Sequence, residues 1–359
     1  MADPHKDDSV VQTASEAKDG NAPVTGPDRR TVIKGLLTVA GGLALGACRS
    51  APRAAADKVR LAFCGQLLCV VPYEVARARG HFAAEQLDVE LVYTRGGNAA
   101  MQALVGGAVE YAGTSFDVTL QAAANGASIR RFASTGRLPL FALAVAPGRS
   151  RTVATVMDLS GTTVGVSALG NADHALLLFL LDKAGLRATD VHVATIGTNV
   201  FDALRLGQVD AAMVQEPALT LIVAAGGRSL VNFMQIDEAR TYLGGAYEFM
   251  GVSVRTADRD RRLPEMRRLA AALARGLADT RSLPARDIIA TLPTALTAGG
   301  DIPQFERIIE RYRLSLYPES VTVDRDAAER VERSQEVAGL LTRGRVNLDV
   351  LLDSAALRG

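Results

Sequence analysis

The chain has 359 residues, a formal net charge of +1, 48% hydrophobic residues, 5% aromatic residues and no tryptophan. This is the composition of an Ala/Leu/Val-rich globular protein, and it excludes collagen-like and disordered classes. With no surplus of cations and no long run of one charge, it carries no footprint for nucleic acid.

Residues 1–27 are polar and lack periodicity, which reads as a leader without a core. The stretch DRRTVIKGLLTVAGGLALGACRS that follows, residues 28–50, is the most apolar of the chain. Its uninterrupted apolar part, Gly35 to Ala47, falls well short of the ~20 residues that a membrane-spanning helix needs. An arginine doublet alone carries little here, because Arg130-Arg131, Arg261-Arg262 and Arg267-Arg268 are doublets too. The order carries the signal: a polar leader, then Arg29-Arg30, then a short apolar core, then small residues. Asp28 to Lys34 resembles a twin-arginine export motif. Leu45-Gly46-Ala47-Cys48 resembles a bacterial lipobox, in which the cysteine is acylated and becomes the new N-terminus. Together they imply a signal peptide over 1–47, lipid on Cys48, a tether over 48–57 and an exported protein held at the periplasmic or other extracytoplasmic face of a membrane. The alternative is a polar tail followed by a chance apolar helix.

Removing the leader leaves roughly 310 residues, a soft prior of about two domains. From Lys58 onward short β-rich runs alternate with Ala/Leu-rich helical stretches: VRLAF, then PYEVARARGHFAAEQ, then DVELVYT, then a Gly-Gly loop and a helix reaching Gly107. That alternation is α/β grammar. A repeat recurs at an offset of one hundred residues, ALVGGAVEYA over 103–112 against ALRLGQVDAA over 203–212. Each describes a helix ending at glycine, a tight turn, an acidic residue and a strand; upstream, DVELV from Asp88 answers DVHVA from Asp190. Two lobes on one plan are expected, with 58–147 plus 245–359 in the first and 148–244 in the second. Crossovers are expected at Pro147–Ser150 and at Gly244-Gly245. Beyond Val254 the pattern predicts helices over 264–281, 286–292, 303–314, 325–342 and 348–357, returning to the first lobe.

In open α/β sheets ligands bind at the carboxyl ends of the strands, so the loops after the strands are the candidate site. In the first lobe these are Cys64–Cys69 with Gln66 and Leu67, Arg95–Asn98 with Gly97, and Gly113–Asp117 with Thr114 and Ser115. The second lobe offers Ser167–Ala172 with Gly170 and Asn171, Gly197–Asn199, and Gln215-Glu216-Pro217. Gly96-Gly97-Asn98 and Gly170-Asn171-Ala172 sit where a strand hands over to a helix, so their N–H groups either receive a small anion or merely serve tight turns. Glu216-Pro217 is either a ligand contact or a helix start with proline in its first turn. His174 is either a cleft residue or a capping residue. Cys64 and Cys69 are either a disulfide of an oxidising compartment or two small residues buried separately. His5, His81, His174 and His192 show no metal-ligand spacing with the thiols, and no metal or cofactor is expected. No phosphate loop, nucleophile elbow or H-E-x-x-H motif occurs, so no catalytic residue is assigned.

The segment Val71–Phe82 followed by Leu87–Leu91 resembles the opening of the nitrate/sulfonate/taurine/bicarbonate and thiamine-precursor family of ABC-transporter substrate-binding proteins. The similarity continues through GGNAAMQALVGGAVEYA, DLSGTTVGVSALGNADHALLLFLLDKAGL and ALRLGQVDAAMVQEPA, covering Val59 to Val254 well and the last helices weakly. It implies an α/β, two-lobed type II periplasmic-binding-protein fold with a hinged interlobe cleft, a small and anionic organic ligand, and a monomer that delivers it to an ABC permease and its ATPase. Carried over by position, the family's binding loops fall on Gln66 and its neighbours, Thr114, Ser115, Ser167, Gly170 to Ala172, Gln215 and Glu216, with Leu67, Leu68 and Phe116 left for an apolar part. Where many relatives have an aromatic or Ser/Thr-rich first loop, this chain has FCGQLLC, and it has no tryptophan to stack on a ring. Two other readings stand beside this one: an enzyme of the same fold, like the pyrimidine synthases related to the family, whose Cys-rich iron-binding motif FCGQLLC imitates poorly, and a ligand-sensing domain.

Overall fold

In the computed structural model, residues 56–197, 199–297 and 300–358 are described. The leader, Cys48 and most of the expected tether lie outside them, as does Thr198. Ten strands alternate with helices: β1 (Asp57–Cys64), β2 (Leu87–Thr94), β3 (Tyr111–Ser115), β4 (Ile129–Ser134), β5 (Ala142–Val145), β6 (Thr163–Val166), β7 (His192–Thr195), β8 (Ala211–Val214), β9 (Arg228–Asn232) and β10 (Met250–Arg255). Folded structure therefore begins one residue before Lys58: Asp57 pairs with Leu87, and its carboxylate accepts from Arg268.

The strands form two five-stranded sheets of one design. The first runs β2-β1-β3-β10-β4 and the second β7-β6-β8-β5-β9. In each, the three strands at one side are parallel and the fourth is antiparallel to both its neighbours. In the first sheet that antiparallel strand, β10, returns from beyond the second sheet, whereas in the second sheet it is β5, the strand by which the chain enters it. The hundred-residue repeat has a common cause in both sheets. Glu110, just before β3, accepts the Arg60 N–H at 2.8 Å, and Asp210, just before β8, accepts the Thr163 N–H at 2.8 Å. Each acid thus closes a backbone donor of the middle strand of its sheet's parallel trio, and an unpaired donor there costs free energy comparable to a lost hydrogen bond.

The domain boundary differs from the sequence expectation. Ala142–Val145 belongs to the second sheet, between β8 and β9, so the chain leaves the first sheet over Thr135–Phe141 and not at 147. An apolar run such as FALAV announces a buried strand, and only its pairing partners decide which sheet it joins. The return passage is Gly244–Phe249. The two passages lie side by side: Tyr247 N donates to Arg137 O and Phe249 N to Gly136 O, both at 2.9 Å.

The C-terminal helices also depart from the expected spans. The first runs Thr256–Ser282 and contains Pro264 instead of starting there; it packs on the Leu67–Ala78 helix, which likewise contains a proline, Pro72. Gly276 sits at that contact, and a Cβ there would meet Ala76 Cβ and Pro72 O at 2.7 Å each. The Arg325–Val337 helix stops before the expected 342, and the last predicted helix is a turn at Leu348–Leu351 followed by a 3-10 turn at Ala355–Leu357. Arg325–Val337 does not stay with one lobe. It packs against both Phe116–Ala124 and Ala172–Lys183, one helix from each half.

Candidate functional site

The carboxyl ends of the parallel strands in both sheets open on one cavity of about 820 Å³. Of the expected residues, Gln66, Gly97, Thr114, Ser115, Ser167, Asn171, Ala172, Gln215 and Glu216 line it, drawn from five loops of two sheets. Leu67, Gly170 and His174 do not. Leu67 is buried in the body of its helix, as are Leu68 and Phe116 in theirs, because a residue at a helix start turns its side chain to the core when that face is apolar. Gly170 instead donates its N–H to His174 Nδ1 at 3.2 Å, so His174 fixes the loop from behind, and burial pushes its pKa down.

Helix starts dominate the lining. Four helices of nine residues or more begin at the cavity, with Gln66, Gly96, Ser115 and Asn171 as their N-caps, all four in the wall. Only Ser115 caps with its side chain, accepting from Val118 N; the other three have no side-chain cap bond. The positive ends of four helix dipoles therefore converge on one space; two carry an acid in their first turn, Asp117 and Asp173, while the Leu67–Ala78 and Gly97–Val105 starts have neither a side-chain cap nor an acid and favour an anion.

Full charges add to this field selectively. Arg95, exposed after β2, is the cationic residue of the lining. The two lining acids are both engaged. Asp173 accepts from Ser167 N and, at 2.9 Å, from Ser167 Oγ; Glu216 accepts from Thr220 N and Thr220 Oγ1 at 3.0 Å each. Burial pushes the Asp173 carboxyl up, and the bonds from Ser167 oppose it. Ser167 is thereby a loop-holding residue as well as a wall residue, since Asn171 Nδ2 also donates to its hydroxyl at 3.0 Å. Glu216 faces the cavity and also closes the start of the Ala218–Ala224 helix behind Pro217. Across the mouth, Asn98 Nδ2 donates to Asn171 Oδ1 at 2.6 Å, joining the two lobes.

Gly197 and Asn199 of the loop after β7 also line the cavity, and most of the remaining wall is apolar, with no counterpart among the residues expected from the sequence. Phe141 and Phe249, one on each passage between the sheets, meet edge to face with ring centroids 6.1 Å apart. Met250, Met213, Ile196, Val200, Phe201 and Leu221 extend this surface. Their signal in sequence was only that they adjoin the named loops; Phe141 and Phe249 come together because the two passages pair. Cys64 and Cys69, also in the wall, are joined by a disulfide. Both thiols are thus committed to each other, and among the described residues no group of three or more His, Cys, Asp or Glu side chains is placed to hold a metal.

Behind the Thr114-Ser115 turn lies a buried ionic cluster. Arg131, fully buried, donates through Nη2 to Thr114 O at 2.9 Å and to Thr119 Oγ1 at 3.1 Å. Glu248, on the return passage, accepts from Ser134 Oγ at 2.9 Å, while its Oε1 has no partner. Burial pushes Glu248 up to about 8, against the attraction of Arg131. Asp117, which accepts from Tyr247 Oη and Gln335 Nε2 at 2.7 Å each, is pushed by burial to about 6.

Two lobes of one sheet design, joined by two adjacent passages and enclosing a polar-rimmed cavity between them, define a periplasmic-binding-protein fold of type II. The chain belongs to the NMT1/THI5-like family, whose model matches residues 70–286. Among solved structures it is similar to a protein of Bordetella bronchiseptica RB50, with a TM-score of 0.75 and 24% identity over 84% of this chain and 96% of that one. It is also similar to the alkanesulfonate-binding protein SsuA of Xanthomonas axonopodis pv. citri bound to MOPS (TM-score 0.64, 20% identity, 82% and 97% covered). A third is the periplasmic nitrate-binding protein NrtA of Synechocystis PCC 6803 (TM-score 0.65, 11% identity, 84% and 88% covered). At these identities the likeness is one of fold. No curated protein sequence matches the chain.

Proposed function

We propose that this protein is the substrate-binding component of an ABC importer, which takes a small organic anion into the interlobe cavity and hands it to a membrane permease driven by an ATPase. The observation that carries the reading is the convergence of four helix starts and Arg95 on a cavity of about 820 Å³ whose wall is otherwise largely apolar. The polar end suits a sulfonate or carboxylate head group. The volume lies within the range of about 300–1,000 Å³ of pockets that enclose whole organic ligands, so an apolar body fits beside the head. Gln66, Thr114, Ser115, Asn171 and Gln215 are the polar contacts, with Phe141, Phe249 and Met250 against the body, while Glu216 stays bonded to Thr220. Similar folds include proteins described as binding alkanesulfonate and nitrate, which supports the anionic head.

The reading includes export through the Arg29-Arg30 signal and anchoring through acylated Cys48, which keeps a clamp near its permease. Globomycin should make the unprocessed precursor accumulate in cells, and unchanged mobility would sink the anchor. For the ligand, a thermal-shift panel of alkanesulfonates, nitrate, bicarbonate, aromatic carboxylates and pyrimidines is the test. A ligand at a hundred times its Kd adds about 2.7 kcal/mol to the native state, a readily measured rise in Tm. If none of these classes at saturation moves the Tm, the substrate reading fails.

A further inference from the structure

We propose that the Cys64–Cys69 disulfide is a thiol-exchange site inside the cavity, at which anionic low-molecular-weight thiols form a mixed disulfide with Cys64 while Cys69 leaves as the thiolate. The two sulfurs are not equivalent. Both border the cavity, but Cys64, at the end of β1, is 9% exposed, whereas Cys69 is 2% exposed and packed with its Sγ 3.5 Å from Met250 Sδ. An incoming thiolate therefore reaches Cys64. Cys69 is the third residue of the Leu67–Ala78 helix, whose start has no side-chain cap, and a thiolate in a helix's first turn is stabilised by the free N–H groups and the dipole. The helix position aids Cys69 as the leaving thiolate while its burial opposes this, so access to Cys64 sets the direction of attack.

The charge of the incoming thiol is selected by the neighbouring strand end. Cys64 pairs with Thr94 in β2, Gly65 N donates to Thr94 O at 3.2 Å, and Arg95 follows immediately, exposed and in the same cavity wall. An anionic group drawn to Arg95 and to the helix starts holds its thiol beside Cys64. The exchange balances without an external oxidant. The thiolate sulfur bonds to Cys64 Sγ, the Cys64–Cys69 bond breaks, and Cys69 carries away the electron pair. Either Cys69 returns to expel the thiol, or a second thiolate attacks the adduct, releasing the thiol's own disulfide and leaving both cysteines reduced. Gln66 lies within the loop that the bridge closes, so the adduct occupies the cavity and loosens one of its polar contacts.

The test uses the full chain, oxidised, with 2-mercaptoethanesulfonate against neutral 2-mercaptoethanol at matched thiolate concentrations. Samples are quenched with N-ethylmaleimide and mapped by peptide mass spectrometry, with Cys48 followed separately. The anionic thiol should react with saturation and about tenfold faster or more, since a focused field raises the local concentration of its counter-ion by that order. The adduct should sit on Cys64, and Arg95→Gln should erase the advantage of the anionic thiol. Equal, unsaturating rates for the two thiols, or an adduct on Cys69, would overturn the proposal. Ethanesulfonate, which has no thiol, separates the two ideas: if it raises the Tm while exchange shows no anion preference, the anion site stands and the exchange site falls.

Discussion

Replacing Glu248 with glutamine should flatten the upper half of the stability-against-pH profile. Glu248 sits on the return passage between the sheets, 1% exposed, facing Arg131 from β4, Ser134 at the end of β4, Tyr73 from the Leu67–Ala78 helix and Asp324 at the start of the Arg325–Val337 helix. Its carboxyl is pushed from its ordinary 4.5 up to about 8, with burial the largest cause. Between those values the folded protein holds a proton that the unfolded chain has released, so stability is full below 4.5 and is lost as pH rises through 8. At 1.36 kcal/mol for each tenfold change in proton binding, the loss approaches about 5 kcal/mol over the whole interval and about 1.5 kcal/mol between pH 6.5 and 8. Asp117, at about 6, and His174, held below 6.5, change charge mostly beneath that window, which isolates Glu248. Glutamine keeps an oxygen to accept from Ser134 and cannot ionise. Urea unfolding of both proteins at pH 6.5, 7.2 and 8.0 should show the wild type losing stability while Glu248→Gln stays level. Parallel profiles, or a wild type that gains stability over this window, would show that the carboxyl is already ionised and paired with Arg131.

Other outcomes follow from the same packing and charge. Arg95→Gln should weaken any anionic ligand by about tenfold and reduce the salt dependence of binding, because an exposed cation acts across a screened distance; isothermal titration at two ionic strengths reads both. Gly276→Ala should destabilise by about 1–3 kcal/mol through overpacking against Ala76 and Pro72, despite alanine's better helix propensity, and a rise in urea midpoint would show that the two helices can separate at no cost. Replacing both Cys64 and Cys69 with serine should cost about 2 kcal/mol, the loop-closure entropy of so short a ring, and equal midpoints for the double variant and the wild type would refute it.

The strand and helix grammar, the two lobes and the loops that line the cavity are written in local pattern, because β-rich runs, glycine-closed helices and the hundred-residue repeat report local conformation and burial. Glu110 and Asp210 are visible as repeated acids, and the structure supplies their common task. Other features depend on residues distant in sequence and have no local signature. The sheet joined by Ala142–Val145 rests on its pairing with β8 and β9, and the Phe141–Phe249 contact on two passages brought side by side. Leu67 and Phe116, at helix starts, turn to the core, while Met250 at the start of β10 and Ile196 after β7 face the cavity, since which side of each residue meets the cavity is set by what packs on its other side. The sequence alone therefore determined the class of fold, the family and most of the polar rim. The domain boundary, the apolar wall and the buried Arg131–Glu248 cluster were decided by tertiary contact, where pairing, burial and the desolvation of charge take their values from partners more than a hundred residues away.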